Sequence, residues 1–211
     1  HNFQHMKKIT LLLLLSASLL ACKDQKKEKE TAPQEPVETA TAVPFAEDSA
    51  AIRNVIMDFY KWYTANYEKL MDFKLYDGVK KPDMPPYQIK WDAVDKYHAY
   101  IREKVPQLGE AFLARQKKFF QECDSAFKVD LEGELPYGFD YDWYTNSQED
   151  PSYLLEGLQA SNNWVIQVKN EEATVEIGAP ENKNYASGSL LIFVGLKKEN
   201  GQWKMAQIGN D

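Results

Sequence analysis

Residues 163–168 read NWVIQV, 173–178 ATVEIG, 189–198 SLLIFVGLKK and 202–208 QWKMAQI, and the reading of these four runs decides the fold class. The first, second and fourth alternate apolar with polar residues, the period of a strand with one buried face. The third is continuously apolar from Leu190 to Leu196, as expected of a strand buried on both faces. Lys169-Asn170-Glu171-Glu172 and Glu199-Asn200-Gly201 supply short turns, so the last third of the chain reads as a four-stranded antiparallel meander. Leu190, Ile192, Val194 and Leu196 then point one way and Leu191 and Phe193 the other, and each row needs cover. With helices on one face, one row must be covered by the segment 135–160 or by another subunit; the segment is the expected cover, which makes the chain a monomer rather than a homodimer.

Upstream the period changes to that of helices. In EDSAAIRNVIMDFYKWYTANYEKL, residues 47–70, Ile52, Val55, Ile56, Phe59, Trp62, Tyr63, Tyr67 and Leu70 fall on one stripe. Asp48 or Ser49 is positioned to cap the helix start. Asn66 lies near the middle of that stripe, where it either bonds a neighbouring backbone group or contacts a ligand. Residues 74–90, with Gly78, Pro82, Pro85 and Pro86, read as a loop. Two helices are expected next, over 92–105 and, behind Pro106 at a first-turn position, over 107–128. Val94, His98, Ile101 and Val105 share a face of the first; Leu108, Phe112, Phe119, Cys123 and Phe127 share one on the second, with Arg115 inside that stripe. Helices first and a meander last define an α+β domain with N-terminal helices on one face of the sheet.

His98 and Cys123 on apolar faces read as a satisfied core histidine and an inert thiol, because reactive cysteines sit in exposed, electropositive surroundings. Arg115 is different: a buried guanidinium is costly unless a carboxylate meets it. Residues 135–157, LPYGFDYDWYTNSQEDPSYLLEG, supply the carboxylates. Asp140 and Asp142 do not start an EF-hand loop, since Tyr144 and Thr145 stand at the third ligand position and the turn glycine. Two acids at i and i+2 serve acid/base chemistry less often than helix capping or ion pairing, so Arg115 is expected to meet Asp140 or Asp142. The candidate ligand-binding residues are therefore Asn66, His98, Arg115, Asp140, Asp142 and Trp143, with no catalytic residue assigned.

At the other end, Met6-Lys7-Lys8 precedes the apolar run from Ile9 to Ala21, 13 residues long with Thr10, Ser16 and Ser18 inside it. A membrane-spanning helix needs about 20 apolar residues; a basic start and a short apolar centre are the marks of a secretory signal peptide. Leu19-Leu20-Ala21-Cys22 resembles the lipobox of bacterial lipoproteins, which implies cleavage before Cys22 and acylation of that cysteine. Burial of acyl chains contributes about 0.8 kcal/mol per CH₂, so two or three chains hold a protein on a bilayer. Residues 1–21 are thus expected to be an N-terminal extension and signal peptide, and 22–46 a lipidated cysteine and disordered tether. Residues 23–44 of it have mixed charge, three prolines, no aromatic residue and only two valines as large apolar residues. Lys23 in place of Asp removes the inner-membrane retention signal, and Cys-Lys-Asp resembles surface-export signals of Bacteroidetes lipoproteins. The expected location is the cell envelope, on the outer membrane.

The remainder, 47–211, is one domain by length. It carries 19 Lys and Arg against 27 Asp and Glu, a balance of −8, which disfavours a nucleic-acid partner. With one cysteine and one histidine in it, no zinc-type cluster is expected, and no phosphate loop or cofactor motif is present. FYKWY (59–63), Tyr97-His98-Ala99-Tyr100, DYDWYTNSQED (140–150) and VGLKKENGQWKMAQI (194–208) resemble bacterial lipoproteins of the domain-of-unknown-function family number 3828. The resemblance implies a cone-like fold similar to the nuclear transport factor 2 and cystatin superfamily, and no set activity. The expected function is a non-catalytic, lipid-anchored binding module for a protein or a small molecule. The alternative is a cone-fold isomerase or hydrolase with His98 or Asp142 as general base.

Overall fold

The computed structural model describes residues 42–182 and 184–210. Among them are α1 (Ala42–Met71), β1 (Tyr76–Gly78), β2 (Tyr87–Ile89), α2 (Trp91–Lys104), α3 (Glu110–Val129), α4 (Pro151–Ala160), β3 (Trp164–Lys169), β4 (Glu172–Gly178), β5 (Leu190–Glu199) and β6 (Gln202–Ile208). The architecture is α+β. Strands β3 to β6 pair antiparallel in chain order, with α1 packed on β3 and β6, and α3 on β6.

The meander forms where its turns dictate. Asn200 and Gly201 both take positive φ, 52° and 77°, the geometry of a tight hairpin that follows strand twist. The core face is a grid of paired rows: Val175 opposite Val194, Ala173 opposite Leu196 and Leu196 opposite Met205, all buried. The expectation for β5 fails at one end. Ile177 pairs with Ile192 but Gly178 pairs with Leu190, so Leu191 is an extra residue at a bulge. Leu190 thereby leaves the core row and is 48 % exposed. The opposite face is not buried throughout either. Leu191 packs on α4 at Gly157, where a Cβ would stand 3.0 Å from its methyl, and Phe193 is half-buried. Around Phe193, however, Gln167, Thr174 and Glu176 face solvent, because the flanking strands alternate.

The helices also depart from expectation. Helix α1 begins at Ala42, ahead of the anticipated boundary at 47, so Asp48 lies inside it rather than at its cap. Its carboxylate instead accepts from Trp203 Nε1 (2.8 Å) and pairs with Lys198 Nζ (2.9 Å). These contacts, Trp203 first, hold the Asp48 carboxyl below its ordinary value. Residues 74–90 contain the β1–β2 hairpin, where prolines mark the turn: Asp77 Oδ1 accepts from the backbone N–H of Gly78 (2.8 Å) and Asp83 (3.0 Å). Pro106 is outside any helix. Met205 N donates to Gln107 O (2.8 Å) and Gly109 N to Met205 O (3.0 Å), so the edge of β6 takes this backbone and α3 starts only at Glu110. Glu199 then completes the helix start by accepting from Glu110 N (3.0 Å) and Ala111 N (3.1 Å), two donors that lack intrahelical partners. A side chain at Gly109 would collide with that carboxylate. Finally, α4 arises inside the 135–157 segment, with Pro151 in its first turn and Asp150 Oδ1 accepting from Ser152 N (2.9 Å).

Candidate ligand cavity

The loop from Gly138 to Ser147 is built by its own backbone bonds. Gly138 takes φ 79°, and its carbonyl accepts from Trp143 Nε1 at 2.7 Å. Asp142 N donates to Ser147 O (2.8 Å), which closes a turn in which Asn146 takes φ 52°. Asp142 Oδ1 accepts from Tyr144 N at 2.8 Å. This winding drives Tyr144 and Thr145 into the core and leaves Asp142 and Trp143 half-buried.

Tyr144 joins three helices. Its carbonyl accepts from Tyr60 OH of α1 (2.8 Å), and its hydroxyl lies 2.5 Å from Tyr97 OH of α2. The same hydroxyl accepts from Gln116 Nε2 of α3 at 3.3 Å. Gln116 Oε1 is 2.9 Å from His98 Nε2, so a buried polar chain runs from α2 through α3 to the loop. Burial raises the pKa of Tyr60, Tyr63, Tyr97 and Tyr144, which therefore remain neutral phenols.

Beside this hub lies a cavity of about 280 Å³. Its wall comes from Tyr63, Leu70 and Met71 of α1, residues 73–76, Asp83, Tyr97 of α2, Phe139 and residues 141–144. Eight of these fourteen described residues are aromatic. None belongs to β3–β6, whose core face is filled by buried side chains. Burial pushes the Asp142 carboxyl above the ordinary aspartate value, against the Tyr144 N–H and the nearby hydroxyls of Tyr63 and Thr145, which act in the other direction.

That raised value fixes the sign of a pH effect. A carboxyl that is harder to ionise in the folded state costs stability as pH rises from the unfolded aspartate value, about 3.9, through the folded one. Asn at position 142 keeps the acceptor for Tyr144 N and carries no charge. Asp142→Asn is therefore expected to melt above the wild type at pH 7, with the gap shrinking as pH falls toward about 4. Equal melting temperatures at pH 7 would mean that the hydroxyls and the Tyr144 N–H cancel the desolvation.

Of the six residues singled out in the sequence, the structure brings only Asp142 and Trp143 into this cavity. Asn66 is spent locally, donating to Trp62 O (2.8 Å) and accepting from Lys69 Nζ (3.1 Å). His98 is 5 % exposed and bonded to Gln116; burial lowers its pKa, and it does not line the cavity, which removes it as a general base there. Asp140 is exposed. Arg115 is exposed on α3 and forms no ion pair with Asp140 or Asp142; it lines a second groove of about 550 Å³ with Trp143, Phe119 and Asn146. Cys123 is buried as expected, its thiol pushed up to about 12 by desolvation. Cys22 lies outside the described residues.

Tyr63, Tyr97 and Gln116 were missed as parts of one site. The first two carry the same apolar periodicity as core residues, and only the tyrosine hydroxyls, which need partners when buried, signal a polar centre. Comparison with protein-family models, with curated proteins and with solved structures gives no match.

Proposed function

We propose that the domain is a non-catalytic binding module that takes a small molecule into the cavity beside Trp143. The observation that carries this reading is the combination of a mostly aromatic wall with one placed carboxylate, the composition typical of small-ligand sites. Of the two general bases that an isomerase or hydrolase would use, His98 is sealed in the core, and the enzymatic reading retains Asp142 alone. The proposal extends to the shape. Register shifts at Ile177/Gly178 in β4 and Gly195/Leu196 in β5 bend the sheet, whose core face carries α1 and α3, which supports a cone of the nuclear transport factor 2 and cystatin kind.

The test is a fragment screen by NMR on the mature chain from residue 22 carrying Cys22→Ser. Binders are expected to shift the Trp143 indole resonance. If every binder maps to other surfaces, the cavity is not the site.

The same proposal places the domain at the bacterial outer membrane through acylated Cys22, as a monomer. Cys22→Ser in the full precursor is expected to leave the protein unprocessed or release it to the soluble fraction. Absence of palmitate label in the wild type would sink the anchor.

A further inference from the structure

We infer that the cavity accepts a small organic cation, an ammonium group seated against the aromatic rings with its charge facing Asp142. This rests on the binding role proposed above and adds the class of ligand.

Aromatic faces carry negative potential and attract cations, each contact contributing about 0.5–2 kcal/mol as water is excluded. Tyr63, Tyr76, Phe139, Tyr141 and Trp143 offer such rings within one small space. Apolar ligands are also held by rings, so the rings alone do not choose. Asp142 does. Its carboxylate is half-buried, and among the described residues no lysine or arginine forms an ion pair with it. An unpaired charge removed from water is unfavourable, and an anionic ligand would make it worse. A neutral ligand would seal it in without compensation. A cation offsets the desolvation that raises Asp142 and favours its charged form.

The carboxylate is also held ready. Its backbone is tied to Ser147 on both sides, and the Tyr144 N–H holds Oδ1, with the hydroxyls of Tyr63 and Thr145 beside the same carboxylate, so its position in the wall is fixed before a ligand arrives. Lys74 is the one basic residue in the wall, against two carboxylates, Asp83 and Asp142. The volume, about 280 Å³, lies just below the usual range of roughly 300–1,000 Å³ and restricts the ligand to a compact amine.

The experiment pairs cations with neutral isosteres: choline against 3,3-dimethylbutan-1-ol, and benzylamine against benzyl alcohol. Each is titrated into the mature Cys22→Ser chain while the Trp143 indole resonance is followed. At least one cation is expected to bind about tenfold or more tightly than its isostere, a gap set by one or two cation–ring contacts plus the carboxylate. Asp142→Asn should erase that gap by weakening the cation and not the isostere, and a Trp143 indole resonance near its wild-type position in the free protein shows that the cavity is intact. Equal affinity for cation and isostere in the wild type overturns the cation assignment and leaves the cavity as a site. Cation binding undiminished in Asp142→Asn overturns it too. If neither cation shifts Trp143 while other fragments do, the ligand class alone is wrong. If no fragment does, the binding role falls with it.

Discussion

Tyr144→Ala is expected to cost about 3–5 kcal/mol of folding stability, the range for truncating a buried large aromatic. Tyr144 is 2 % exposed, and its ring lies 4.9 Å from that of Tyr63 and 5.8 Å from those of Phe59 and Phe112. Truncation removes those contacts and the shared partner of the Tyr97 hydroxyl and the Gln116 amide. Tyr144→Phe separates the two parts. The ring stays, the two buried polar groups lose their partner, and the expected cost is about 1–3 kcal/mol. Urea unfolding of the three proteins checks the order wild type, Phe, Ala. If Tyr144→Phe matches the wild type, the chain from His98 to Tyr97 contributes no net stability and the aromatic packing alone holds the loop.

The sheet was legible because its signals are local. Alternation over residues 173–178 and the Asn200-Gly201 turn act within a few residues, and the structure places both where the pattern does. The bulge at Leu191 was not, since an extra residue in a continuous apolar run leaves the composition unchanged. Helix starts were misread for the opposite reason, that distant partners claim the signal residue. Asp48 has the chemistry of a cap, yet Trp203, 155 positions away in the chain, uses it. The start of α3 likewise depends on Met205 and Glu199.

Arg115 shows how the site itself escaped. The anticipated stripe ran through Phe119 and took Arg115 with it. In the structure Phe112, Leu113, Gln116, Phe120, Cys123 and Phe127 form the buried face, so the true stripe is turned by about one residue, and Arg115 lies on its flank. Gln116 occupies the buried polar position instead. A neutral amide satisfied by His98 and Tyr144 is far cheaper to desolvate than a guanidinium, which is why the fold turns this way. Asp142 then meets Tyr144 N rather than an arginine and faces the cavity.

Gly138→Ala is expected to disable that cavity from outside its wall. Gly138 holds φ 79°, a conformation that costs an L residue about 1–2 kcal/mol. A Cβ there would stand 2.6 Å from Phe119 Cζ and 2.8 Å from Cys123 Sγ, and relieving such overpacking costs about 1–3 kcal/mol. Phe119 can swing away; Cys123 sits in the fully buried core face of α3 and cannot. The loop is the element that must yield, and with it goes the Gly138 carbonyl that anchors Trp143 Nε1. Two readouts follow from that geometry. Hydrogen exchange at the Trp143 indole should accelerate, by about tenfold or more for each 1.4 kcal/mol of loop opening. Cys123, the one thiol left in the mature Cys22→Ser chain, is covered by Gly138 in the wild type and should become reactive toward a disulfide reagent as the loop lifts. A Gly138→Ala protein in which the indole stays protected and Cys123 inert would show that α3 absorbs the added methyl, and that the loop positions Trp143 without help from the glycine.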